Sequence, residues 1–428
     1  MEPLCFAILK SLTPADVDVD FYDERLEEIP LDPDTDLVAM TVETYTARRA
    51  YEIAAQYRKR GVPVVLGGYH PTFLPQEALE HADAVVVGDA EGVWPKVLED
   101  TRSGSLQGIY RNSEFPTLEN IMPDRSIFAG KKYAPLSLVQ YGRGCRFNCS
   151  FCSIRAFYGN SLRQRPIEDV VEEIRRCGRR HVFLVDDNIF VDVDKARALF
   201  EALIPLNIRW NCQVSIDVAR DPELVNLMAR SGCMNALVGF ESLDLTSLRD
   251  IKKGWNVKWQ SYEEAIGVFR KAGITIYGTF MFGAGEDTVE SFDAAVEFAI
   301  RHKFILANFN PLTPMPGAPL YDRMEREGRL LHDRWWLNPA YKYGDATMRP
   351  MNMTPEQLTR GCFEARRKFN TLGSILQRMT DWRTNVRTPY RAAVYLFANF
   401  VSRREIYRKQ TRELGQGRAV AELRQRRT

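Results

Sequence analysis

The chain has 428 residues, of which 45% are hydrophobic and 27% charged, enough for two or three soluble globular domains. A net charge of +2 argues neither for nor against a polyanionic partner, and no nucleic-acid partner is expected. No run approaches the ~18 apolar residues of a membrane-crossing helix, and Glu2 and Pro3 stand where a signal peptide would begin, so a cytoplasmic location is expected.

The first part, residues 1–125, alternates short apolar runs with helical patterns. Val17 to Tyr22 and Leu37 to Val42 read as strands. Ala47 to Arg60 has helical periodicity and stops at Gly61. Val62 to Leu66 and Ala84 to Val87 are buried-strand runs that end in glycine turns. Such alternation predicts a parallel sheet covered by helices, which binds ligands beyond the carboxyl ends of its strands. Those ends carry Thr41, Glu43 and Thr44, then Gly67, Gly68, Tyr69 and His70, then Gly88, Asp89 and Glu91. Glycine there lets backbone approach a ligand closely. It also serves any tight turn, and a loop histidine is as ordinary as a ligand-binding one.

Pro116 to Pro135 reads as a connector into a second part, 126–330. Leu136 to Tyr141 is its first expected strand. The loop that follows carries Cys145, Cys149 and Cys152 at the spacing C-x-x-x-C-x-x-C. Three thiolates hold three irons of a cubane and leave the fourth iron open, where an electron-transfer cluster has a full cysteine set. Zinc is the competing reading, but it favours four ligands in two close pairs, and no second pair exists. The remaining cysteines, Cys5, Cys177, Cys212, Cys233 and Cys362, show no disulfide framework, in keeping with a reducing compartment.

Pro166 to Arg176 predicts a helix, acidic at its start and basic at its end. His181 to Val185 predicts a strand ending in Asp186, Asp187 and Asn188, either a functional strand end or a cap for a helix near Asp194. Ile208 to Val214 follows, carrying Gln213 and leading to Ser215. Asn235 to Phe240 ends at Glu241, and Ile274 to Phe282 is the last expected strand. Asn308 to Pro319 reads as a proline-rich loop, either facing the substrate side or a rigid surface turn. In 331–428, Pro355 to Phe369 predicts an amphipathic helix after a Thr354 cap. Ala392 to Val401 is apolar, for a core helix or for a membrane surface. The tail with Arg403, Arg404, Arg408, Arg426 and Arg427 reads as a solvated helix, with an anionic membrane as the lesser reading.

The cysteine spacing, with Phe151 just before the last cysteine, resembles the radical S-adenosylmethionine (SAM) superfamily. Gly67 to Thr72 and Ala82 to Glu91 resemble the cobalamin-binding domain that precedes the barrel in one subgroup. The resemblance implies an α/β chain: a Rossmann-like parallel-sheet domain, a partial (β/α) radical SAM barrel, and a helical C-terminal region that caps the substrate. It implies a four-iron four-sulfur (4Fe-4S) cluster on Cys145, Cys149 and Cys152 that cleaves SAM to a 5′-deoxyadenosyl radical. It implies SAM contacts at Phe151, Asp186, Asp187, Asn188, Gln213, Ser215 and Glu241. A G-x-x-x-x-G-x-x-E element at Gly278, Gly283 and Glu286 resembles the adenine side. The strand-end residues from Thr41 to Glu91 are then cobalamin contacts, with His70 near the lower face or tail. The D-x-H-x-x-G histidine element is absent, and the first domain begins at its first helix, without a preceding strand or from an upstream start. The expected reaction is methylation of an unactivated carbon in a natural product or lipid-like small molecule, with flavodoxin or ferredoxin as electron donor. The alternatives are radical cyclisation, rearrangement or reduction without methyl transfer, and a non-enzymatic iron–sulfur electron-transfer or sensor protein.

Overall fold

The structure, a computed structural model, describes residues 1–32, 34–258, 260–410 and 412–415. Its first sheet has four parallel strands, β1 (Val38–Thr41), β2 (Val64–Gly67), β3 (Ala84–Val87) and β4 (Ile109–Arg111), side by side in that order. The middle strands are apolar throughout because helices cover both faces. Tyr51, Ala54 and Tyr57 of the Ala47–Arg58 helix pack on one side, and Trp94, Val97 and Leu98 of the Trp94–Arg102 helix on the other. Val17 to Tyr22 differs from its strand reading. It joins no sheet, since β1 pairs only with β2, and β-propensity without a neighbouring edge does not hold a strand. Among the described residues no strand precedes Val38, and the chain enters through the helix Leu4–Ser11. β4, only three residues long, has no clear signal in the sequence.

The second sheet begins with β5 (Ser137–Val139). A short antiparallel pair, β6 (Gly142–Arg143) and β7 (Arg163–Gln164), brackets the cysteine loop. Then come β8 (His181–Leu184), β9 (Arg209–Val214), β10 (Cys233–Glu241), β11 (Thr275–Phe282) and β12 (Leu306–Pro311). The main strands are parallel, in the order β12-β11-β10-β9-β8-β5, an open six-stranded barrel. β12 corrects the reading of Asn308 to Pro319 as loop and of Phe282 as the end of the last strand. Its proline sits at the strand's last position, where the missing N–H matters least. Strand alternation sends Trp210, Cys212, Phe280 and Phe309 outward under the helices, where Phe280 stacks on Phe309 at 5.4 Å and on Phe240 at 5.6 Å. Asn211, Gln213, Thr279, Met281, Asn308 and Asn310 point to the other face and stay partly or fully exposed.

The 331–428 region divides its packing. Trp335, Trp336, Tyr341 and Leu414 are buried in the core of the first domain. The helix Pro355–Phe369, started by a Thr354–Gln357 capping box, instead lays Leu358, Cys362, Ala365 and Phe369 into the barrel core. Ala392 to Val401 lies within a longer helix, Pro389–Lys409. No helix of the described residues is long and apolar enough to cross a membrane. Arg426 and Arg427 lie outside the described residues.

Candidate active site

The cysteine loop leaves the carboxyl end of β5, and β6 and β7 close its two ends. Its middle is tied down by backbone: Ser150 N–H donates to Ile251 at 3.0 Å, and Leu320 N–H donates to Ser150 at 2.8 Å. Phe147 stacks flat on Trp255 with ring centroids 3.6 Å apart. Phe151 packs among apolar residues that include Ile251, Ala284 and Leu312. All three cysteines are free thiols. Burial raises each of them, Cys149 to about 12, while the buried Lys253 ammonium acts on all three in the opposite direction. Among the described residues no three His, Cys, Asp or Glu side chains are placed to hold a single metal ion. Three thiols on one loop would each hold a separate iron of a cubane, a better fit than zinc.

The ends of β8 and β9 meet this loop. Asp186 is buried and accepts from the N–H groups of Tyr141 at 2.8 Å and Gly142 at 2.7 Å, and burial raises its carboxyl to about 7. Both its oxygens thus fasten the entry to the cysteine loop, which replaces the expected SAM contact with a positioning one. It is not the cap of the next helix either, because Asp192 caps Val193–Leu203. Asp187 accepts from Gly144 N–H at 2.9 Å, and burial raises it to about 6. Gln213 donates to the Asp187 carbonyl at 3.1 Å, and Asn188 donates to the Ser215 hydroxyl at 3.0 Å. Asp187, Asn188, Gln213 and Ser215 therefore form one polar group beside the cysteines.

At the end of β10, Glu241 holds a left-handed backbone (φ 63°) and accepts from Lys253 Nζ at 2.7 Å. Residues held in such a conformation cluster at functional sites. A side chain at Gly239 would strike both members of this pair. Sequence reasoning misses Gly239, inside β10, and Lys253, whose only trace is the Lys252-Lys253-Gly254 run. The adenine-side element is placed differently from expectation. A Cβ on Gly278 would strike the Phe304 ring, so its smallness admits a core phenylalanine rather than a ligand. Gly283 turns at φ 100° against Leu358 and Met348, and Glu286 is exposed. Asp287, also missed in the sequence, holds this turn by accepting from Gly283 and Ala284 N–H.

The carboxyl edge of the first sheet faces the same loop. Asp89 and Glu91, expected at cobalamin, are instead ion-paired with Arg143, two residues before Cys145, at 2.9 and 2.5 Å. Arg163 adds a pair to Asp89 at 2.7 Å. Burial opposes ionisation of Glu91, but the Arg143 charge holds it below the usual carboxylate range. Tyr69 lies 4.7 Å from Phe157, in the helix that follows Cys152. His70 is fully buried. Its Nε2 bonds with Glu77 at 3.0 Å and Tyr51 at 3.1 Å, and its Nδ1 lies 3.3 Å from the Thr44 hydroxyl. That engagement takes His70 and Thr44 out of reach of a ligand. Thr41 and Glu43 stay exposed at the end of β1. Gly67 allows ordinary contacts, while Gly68 (φ 103°) leaves no room against Thr41 and Val42. Open space lies at Gly88, where a Cβ would meet nothing within 4 Å. The exposed Thr41 and the open space at Gly88 leave room at this edge that would suit a cofactor beside the cysteine loop.

Known proteins show the same arrangement. The description "B12 binding domain" matches residues 9–98, and "Radical SAM superfamily" matches residues 139–299. The bacteriochlorophyllide d C-12(1)-methyltransferase of Chlorobaculum tepidum is 33% identical over 88% of this chain and 84% of its own length. The hopanoid C-2 methylase of Rhodopseudomonas palustris is 26% identical over 78% of this chain and 66% of its own. In fold, the radical S-adenosylmethionine methyltransferase TsrM of Kitasatospora setae matches with a TM-score of 0.58 at 17% identity, covering 78% of this chain and 72% of that one. With a three-cysteine loop facing a B12-type sheet edge, the chain belongs to the radical SAM superfamily, among its cobalamin-dependent methyltransferases.

Proposed function

We propose that this enzyme methylates an unactivated carbon of a tetrapyrrole-like small molecule. The match to a bacteriochlorophyllide methyltransferase along 88% of the chain carries this reading. The partly covered face of the barrel supports it, since Thr279, Met281, Asn308 and Asn310 offer a mixed apolar and amide lining for a large flat molecule. A cluster with an open iron supplies radical generation from SAM, and cobalamin supplies methyl carriage. Cys145, Cys149 and Cys152 would hold the cluster. Asp187, Asn188, Gln213, Ser215 and the Glu241–Lys253 pair line the side on which SAM would be oriented. Thr41, Gly67, Tyr69 and Gly88 border the space for the corrin. Flavodoxin or ferredoxin is the electron donor proposed.

The test is anaerobic turnover of reconstituted enzyme with a bacteriochlorophyllide, a hopanoid in parallel, and SAM carrying a deuterated methyl group. A tetrapyrrole product heavier by one labelled methyl is expected. SAM cleavage with label only on the hopanoid, or on neither, would remove the tetrapyrrole assignment.

A further inference from the structure

The helix Pro389–Lys409 is apolar on two opposite faces. Tyr395, Asn399 and Ile406 are buried on one face, where Tyr395 donates to the Ile375 carbonyl of the helix Leu372–Met379 and Asn399 to the Ile305 carbonyl just before β12. On the opposite face Phe397 is 73% exposed, and Phe400 and Val401 stand open beside it. An unpaired helix with such a second face needs something to bury it. The neighbouring helix Leu372–Met379 adds exposed Leu372 and Leu376, and the turn between the helices adds Trp382 at 77%.

Charge identifies the occupant. Arg383, Arg387, Arg404 and Lys409 are exposed in this segment, in a chain whose whole net charge is only +2. Its two carboxylates are neutralised locally, Asp381 by Arg270 and Glu405 by Arg408. Apolar side chains between arginines, with a tryptophan at the margin, suit the headgroup region of an anionic bilayer. A second copy of the chain would set the same basic group against itself. Position argues against an acidic electron donor: Arg391 donates to Gly273, just before β11, and Arg209 lies over Tyr390, so the first part of the helix lies under the amino ends of the strands. The cysteine loop is at their carboxyl ends.

We propose that the Leu372–Met379 and Pro389–Lys409 helices dock the enzyme on an anionic lipid bilayer, with the cysteine loop turned away from it. The inference is independent of the substrate assignment. The experiment is flotation of the full chain with vesicles of mixed phosphatidylglycerol and phosphatidylcholine, or of phosphatidylcholine alone. Binding to the anionic vesicles only is expected, falling with added salt. Phe397→Ser/Phe400→Ser should abolish it, and Arg404→Glu/Lys409→Glu should weaken it by about 25-fold or more, at about fivefold per basic group. Uncoupled SAM cleavage serves as the folding control and should be unchanged in both variants. Equal flotation of the Phe397→Ser/Phe400→Ser protein, or no flotation of wild type, would overturn the proposal. A dimer in light scattering that this variant dissociates, without vesicle binding, would assign the face to a second copy. Binding that emerges only after deletion of residues 416–428 would assign it to the chain's own tail.

Discussion

Asp89 sits where the sequence places a ligand contact and holds two arginines instead. The two readings part in experiment. Removing one partner from a buried ion pair strands the other charge, at about 3–5 kcal/mol. Asp89→Ala should therefore lower the unfolding free energy by an amount of that order, read as a fall in the denaturant midpoint at unchanged slope, with Asp89→Asn close behind. Unchanged stability with loss of bound cobalamin would return Asp89 to the ligand. Cys149→Ala should do the reverse, leaving stability of the metal-free protein nearly intact while iron content collapses. The cysteines are legible because their chemistry is written in local spacing. Arg143 stands in the same stretch without any such mark, because its partners lie more than fifty positions away and only tertiary structure brings them together.

At the scale of elements, Arg378 joins pieces that the sequence keeps apart. Fully buried, it donates to the carbonyls of Phe304, Ile305 and Phe369 and to the Asn399 amide oxygen. No carboxylate appears among these partners, and burial lowers its pKa to about 10. One side chain thus ties the start of β12 to three C-terminal helices. Arg378→Met keeps the bulk but takes its donors from the Phe304 carbonyl and the Asn399 amide oxygen, at about 1–3 kcal/mol each, while the Ile305 and Phe369 carbonyls keep Asn399 and Ser374. A fall of several kcal/mol in unfolding free energy is expected, and a midpoint near wild type would refute the role. Long, regular elements such as Ala47–Arg58 are legible from periodicity. β12 is masked by the prolines around it, and Val17 to Tyr22 has the composition of a strand but no edge to join.

Across the whole molecule, the Glu77 carboxylate joins the first domain to the C-terminal region. It accepts from Trp336 Nε1 at 3.0 Å and from Tyr51 at 3.1 Å, beside His70. Burial alone would raise its pKa, but the bonds from His70, Trp336 and Tyr51 outweigh it and leave the group lowered. A carboxyl lowered by folding adds stability above its unfolded pKa, about 4.3 for glutamate. That contribution is lost as pH falls through the folded value. Glu77→Gln should therefore be less stable than wild type at neutral pH, with the gap closing on acidification below about pH 4. A gap independent of pH would show that shape, not charge, is what Glu77 supplies. The order of domains is legible from motifs, but this contact is not, because Trp335-Trp336 carries no mark of which core it will enter.

That contact also bears on how the chain is made. The core of the first domain is completed by Trp335, Trp336 and Leu414, which leave the ribosome long after its own strands. At about 5–20 residues per second, the ~250 residues between β3 and Trp335 take roughly 10–50 s to synthesise. Through that interval the nascent first domain presents an unfilled apolar surface while the barrel is being made. The barrel core waits as well, for the helix Pro355–Phe369, so the C-terminal region completes both domains, and the cofactor domain, first in sequence, receives Leu414 after the barrel has its last helix.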